Sequence, residues 1–172
     1  MTKPDQLLLN DIVAPKVLVA LQLASDALVR AGVRHVVIGG LAVGANGYPR
    51  ATKDVDFLVG GEAFEHHPGG LVTLRAGIPF QVDGIAVDFL SPEPGEDFLE
   101  ATLAGAPGSI MPVEPLIFMK LKASRLKDRA DVVELLKASV DVATCRSYLA
   151  THAPSYLAAF DDCVALATAE ED

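Results

Sequence analysis

Two aspartates stand inside an otherwise apolar run. In "KDVDFLV", Asp54 and Asp56 alternate with Val55 and Phe57. Read as a strand over residues 53–59, the segment points Asp54 and Asp56 to one face, because side chains two apart share a side. Their Cα atoms would then lie about 7 Å apart. Carboxylates at that spacing repel unless a cation or a hydrogen-bond donor stands between them. A hard divalent cation with oxygen ligands, Mg²⁺ above all or else Mn²⁺, meets the need. A third carboxylate, Asp88, sits in "IAVDFL" with apolar residues on both sides. Each taken alone also fits a solvated strand face or an edge-strand charge. Aspartate is a poor strand former, however, and three in strand-like settings point to a metal site made by Asp54, Asp56 and Asp88.

Upstream, Gly39 and Gly40 fall where a strand ends and a short helix can begin. Glycines there let a backbone approach a phosphate closely, and a helix start offers free N–H groups; a bland tight turn has the same letters. "GGLAVGANG" is neither G-x-G-x-x-G nor a P-loop, since no Gly-Lys-Ser/Thr follows. Five of the 14 basic residues lie between Lys120 and Arg129. On one continuous helix Lys120, Ser124, Lys127, Asp128 and Asp131 share a face; a break near Leu126 would change this. An ordinary solvated helix with ion pairs at i,i+3 and i,i+4 is the plain reading of that segment. His66 and His67 lie in a Gly/Pro loop without a third zinc ligand. His35 and His152 are isolated and read as structural, and Ser147 with His152 forms no recognisable hydrolase arrangement.

The elements that must position these residues follow from periodicity. Residues 15–31 read as an amphipathic helix, with Val17, Leu18, Leu21 and Leu28 on one face and Gly32 as its stop. Residues 34–38 read as a strand and residues 41–45 as a short helix. "GGEAFEHHPGG" reads as a loop, "LVTLRAG" and "GIAVDFLS" as two neighbouring strands, and "SIMPV" as an edge strand. From Glu114 onward the pattern is helical: one or two helices through residue 139, then two more near residues 141–150 and 154–168. The acidic tail "AEED" is expected to fray. The whole predicts a single α+β domain: a helix and mixed sheet over about residues 1–113, then a helical part over residues 114–172.

With these blocks in place, a resemblance can be stated. The glycine pair, "RATKDVDF" and the later "VDFL" resemble the nucleotidyltransferase fold of the DNA polymerase β superfamily. The Arg-x-Thr-x-Asp-x-Asp form is similar to small bacterial nucleotidyltransferases grouped with abortive-infection toxins. "LIFMKLKASRLKDRADVVEL" resembles their downstream helical segment, so the likeness spans roughly residues 33–136. It implies that Gly39 and Gly40 face nucleotide phosphates, and that Asp54 and Asp56 bind metal. Asp88 would be the third acid, binding metal and helping to deprotonate an acceptor. Arg50 and Thr52 match the element before the aspartates, and Lys120 and Asp128 the downstream basic and acidic positions. Lys120 and Lys127 become phosphate partners, since triphosphate charge needs cations beyond the metal. The implied activity moves an NMP from a nucleoside triphosphate to a hydroxyl on RNA, protein or a small molecule, releasing pyrophosphate, in a toxin–antitoxin or phage-defence setting. A non-catalytic nucleotide-binding or interaction module of the same fold is the rival. The chain departs from the pattern in having Gly40 where many members carry serine, in a short segment between Gly60 and Leu71, and in a small helical part.

Composition sets the limits. The chain has 172 residues, 51% of them hydrophobic, and a formal net charge of −9. That balance opposes broad binding to duplex nucleic acid and favours a small or proteinaceous acceptor. The apolar surplus fits self-association or a partner protein. No apolar run approaches the ~18 residues of a membrane span. The start lacks a signal-peptide pattern. Cys145 and Cys163, without metal spacing, read as reduced thiols of a cytoplasmic protein.

Overall fold

The computed structural model describes residues 3–138 and 140–170. Helix α1 (Pro15–Arg30) opens on a proline, which is harmless in a first turn whose N–H groups lack partners anyway. It ends just before Gly32, whose φ of 69° an L side chain rarely adopts. Strand β1 (His35–Ile38) runs straight into α2 (Gly39–Ala45), and β2 (Val55–Val59) returns antiparallel to β1. A hairpin of β3 (Phe64–His66) and β4 (Val72–Leu74) follows, then β5 (Gln81–Val82) and β6 (Ile85–Leu90). After α3 (Asp97–Thr102) and β7 (Ser109–Ile110) the chain is helical: α4 (Val113–Ala123), α5 (Leu126–Lys137), α6 (Val142–His152) and α7 (Leu157–Ala169).

Five strands form one sheet in the order β5-β6-β2-β1-β7. Pairing is antiparallel for β5–β6 and β2–β1, and parallel for β6–β2 and β1–β7. The sheet is therefore mixed, and the architecture is α+β with a helical C-terminal part. Strand alternation gives the sheet two buried faces. Val37, Val55, Phe57 and Val87 join α1 in one apolar cluster. Val36, Ile38 and Leu58 join α2 and the C-terminal helices in another. Asp56 and Asp88 belong to the second face, being two residues from Leu58 and Leu90.

Three sequence expectations need correction. The second strand starts at Val55, not Lys53, because β1 gives way to α2 after Ile38, the ladder partner of Asp56. "GGEAFEHHPGG" is not all loop: a 3₁₀ turn covers Gly61–Ala63, and β3 follows. Gly69 and Gly70, both at positive φ, bend the chain so that β3 meets β4. Consequently β4 does not neighbour β6, whose partners are β2 and β5. Of the one or two helices open to the basic segment, the chain forms two, split by Ser124 at φ 52° and extended Arg125. In the tail, Ala169 closes α7 and Glu170 pairs with Lys137. Glu171 and Asp172 lie outside the described residues.

Candidate functional site

The parallel pairing of β2 with β6 sets Asp56 directly beside Asp88. Asp54, in the loop before β2, lines the same pocket of about 230 Å³. A strand period of two does not place it there, as the sequence suggested. The backbone turning in from Thr52 does, with the Thr52 hydroxyl donating to the Asp54 carbonyl at 3.5 Å. Burial, then the charges of Asp88 and Asp54, push the Asp56 carboxyl up to about 6, while Lys120 and Lys127 pull the other way.

The glycine pair serves this carboxylate and its neighbours. Gly39 has φ 66°, and a Cβ there would fall 2.1 Å from Asp56 Oδ2. A Cβ on Gly40 would fall 2.9 Å from Thr52 Oγ1 and 3.3 Å from an Arg50 guanidinium nitrogen. The space that side chains would fill at these two positions is thus taken by Asp56, Thr52 and Arg50.

The opposite wall comes from α4 and α5. Lys120 is 8% exposed, and its Nζ lies 3.2 Å from Asp128 Oδ1 and 2.9 Å from Asp131 Oδ2. Arg50 donates twice to Asp131, Nε to Oδ1 and Nη2 to Oδ2, each at 2.9 Å. Arg125 reaches Asp128 through Nε at 2.6 Å. Burial works to raise the Asp128 carboxyl, but Arg125 and Lys120 outweigh it and hold it below its usual range. Lys127 lines the pocket and is exposed. Each residue singled out from the sequence — Gly39, Gly40, Arg50, Thr52, Asp54, Asp56, Asp88, Lys120, Lys127 and Asp128 — lines this one pocket.

Arg125 also lines the pocket, and Asp131 holds two of its lining residues, Arg50 and Lys120; the sequence does not single out either for the site. Asp131 had a faint signal, an aspartate one turn after Asp128 on the same helix face. Arg125 is legible only as one of the basic residues of this segment, because its place at the pocket depends on the helix break. The remaining histidines stay apart. His35 is buried, against Ser25 at 2.7 Å and the Val33 carbonyl at 2.9 Å, and burial pushes its pKa down. His67 contacts Thr73.

A hard divalent cation suits the donors of this pocket. They are carboxylate oxygens, and one of them carries a pKa raised by burial beside two like charges. Among the described residues no three His, Cys, Asp or Glu side chains converge into a ready-made metal cluster. Asp56 and Asp88 are adjacent, with Asp54 at the rim. No helix among the described residues is long and apolar enough to cross a membrane.

No protein-family model and no curated protein matches the chain. Among solved structures it is similar to an antigenic nucleotidyltransferase-like protein from Paracoccidioides brasiliensis. That similarity has a TM-score of 0.46 and 13% identity, and covers 87% of this chain and 94% of the other.

Proposed function

We propose that the chain is a metal-dependent nucleotidyltransferase. It would move an NMP from a nucleoside triphosphate to an acceptor hydroxyl, in the toxin–antitoxin or phage-defence setting that the Arg-x-Thr-x-Asp-x-Asp resemblance implies. One observation carries the reading: Asp56 and Asp88 stand side by side in one pocket with Asp54, the glycine pair and a basic helix wall. Asp54, Asp56 and Asp88 would hold Mg²⁺ or Mn²⁺, which when bound neutralises phosphate charge as a Lewis acid. Lys127 and Arg125, exposed at the rim, meet phosphate oxygens. Lys120, Asp128, Asp131 and Arg50 hold the helical wall in register with the strands. Asp88 orients the acceptor hydroxyl and takes its proton. The hydroxyl oxygen bonds to the α-phosphorus as the bond to the bridging oxygen breaks, and pyrophosphate leaves.

The rival, a nucleotide-binding module without catalysis, draws on the incomplete convergence of the three carboxylates. Asp88→Asn separates the two. Calorimetric titration with Mg-ATP should give near-parental affinity, while pyrophosphate release falls ~10²–10⁴-fold, the usual worth of a general base. Parental release by the variant would remove Asp88 from the chemistry. Nucleotide binding to the parent without any release would favour the module.

A further inference from the structure

A second cavity, about 220 Å³, adjoins the carboxylate pocket and shares Leu90, Met119 and Ala123 with it. Its floor includes Leu58 and Leu99, and its rim carries Glu93, Glu96 and Lys122. Lys122 pairs with both glutamates, 2.8 Å from Glu93. Leu90, on the boundary between the cavities, is 56% exposed. Leu58 and Leu90 lie two residues past Asp56 and Asp88 on parallel strands, so the slot continues the same sheet face. Gly39 lies the other way along β2. Ile38 pairs with Asp56 and Val36 with Leu58, so the antiparallel β1 carries its next residue toward Asp54. Along the strand axis the order is glycine pair, carboxylates, slot.

This order matters for a displacement at phosphorus, where attacking and leaving oxygens stand roughly in line. On the nucleotidyltransferase reading, in which the glycine pair faces the phosphates, pyrophosphate leaves toward the glycines and the attacking hydroxyl enters from the slot side. We propose that the slot is the acceptor site, and that the acceptor is a small hydroxylated compound with an apolar body. The inference rests on the nucleotidyltransferase reading above. Slot volume sets the size of the acceptor. Two carboxylates against one ammonium on the rim repel phosphate groups, which disfavours an RNA end. The apolar floor and the uncovered Leu90 side chain supply the contact surface for the acceptor's body. The hydroxyl oxygen joins the α-phosphorus, its proton passes to Asp88, and pyrophosphate is the leaving group.

The test uses Ser91→Trp. Ser91 is exposed, lines the slot and does not line the carboxylate pocket. Parent and variant are incubated with Mg²⁺, the four α-labelled nucleoside triphosphates, and either the low-mass filtrate or the macromolecular retentate of a cell extract. Mg-ATP affinity is measured in parallel. The expected result is label on a compound of the filtrate, reduced at least tenfold by Ser91→Trp at unchanged Mg-ATP affinity. Label confined to RNA or protein in the retentate overturns the proposal. So does parental transfer by the variant, or a loss of Mg-ATP affinity, which would give the slot to the nucleobase. No transfer to either fraction by a parent that binds Mg-ATP also overturns it. A parent that binds no nucleotide overturns the nucleotidyltransferase reading itself, and the acceptor site with it.

Discussion

Asp56 lines the carboxylate pocket and Asp131 lies buried behind its helical wall, and their surroundings differ in kind. Asp131 is 2% exposed, with both oxygens committed to Arg50 and one also to Lys120. Asp56 faces Asp88 and Asp54 instead, and its pKa rises to about 6. The first is a closed ionic network that joins α5 to the segment before β2. The second is a charge arrangement that the fold leaves unbalanced. The contrast separates carboxylates hydrogen-bonded to cations of the chain from carboxylates set mainly beside like charges.

The largest effect should come from opening the closed network. Asp131→Ala leaves Arg50 and Lys120 facing each other with one partner gone. Breaking a buried ion pair by removing one member typically costs about 3–5 kcal/mol. Urea unfolding of parent and variant measures it. A loss below about 1 kcal/mol would mean that Asp131 resembles an exposed ion-pair member, and the contrast with Asp56 would weaken.

Removing the unbalanced charge should act in the opposite direction. A carboxyl whose pKa is raised by folding contributes stability below its ordinary range, and that stability is lost as pH rises through the folded value. Without metal, the parent should therefore lose stability between about pH 4 and pH 7, by up to about 3 kcal/mol from Asp56. Asp56→Asn should be the more stable protein at neutral pH in chelator, and its pH profile should be flatter. Added Mg²⁺ should stabilise the parent and leave the variant nearly unmoved. A variant less stable than the parent at neutral pH, with chelator present, would place a cationic partner beside Asp56 that outweighs its two carboxylate neighbours.

The same contrast explains what the sequence revealed. Asp56 and Asp88 are legible because aspartate is out of place in a strand, and the period of two gives their direction. Asp131 is hard to read because an aspartate within a charged helix is ordinary; only the tertiary approach of Arg50, 81 residues away, gives it a role. Asp54 shares the pocket of Asp56 without sharing its strand, since the strand needs a ladder partner and β1 has already become α2. The hairpin of β3 and β4 is only half legible in the sequence, because its pairing depends on two glycines at positive φ rather than on apolar alternation. The slot beside Leu90 had no sequence signal, because it forms where α3, α4 and two strands meet.

The smallest stability effect, and the sharpest division of roles, belongs to Arg125. It touches Asp128 at 2.6 Å, yet its own side chain is 76% exposed. Exposed ion pairs contribute about 0–1 kcal/mol, because water screens the attraction and a long side chain must be held still. Asp128 also keeps Lys120 when Arg125 is removed. Arg125→Ala should therefore unfold within about 1 kcal/mol of the parent. Its guanidinium nevertheless lines the carboxylate pocket, and phosphate oxygens offer it the paired acceptors that its planar fork matches. Mg-ATP affinity should fall about tenfold in Arg125→Ala, the scale of one lost charge-assisted contact, and should be only partly restored by lysine. Measured by calorimetry beside the unfolding curve, a variant that loses stability but keeps its affinity would assign Arg125 to the closed network. A variant that keeps its stability and loses affinity would place Arg125 with Asp56, among the groups whose partner comes from outside the chain.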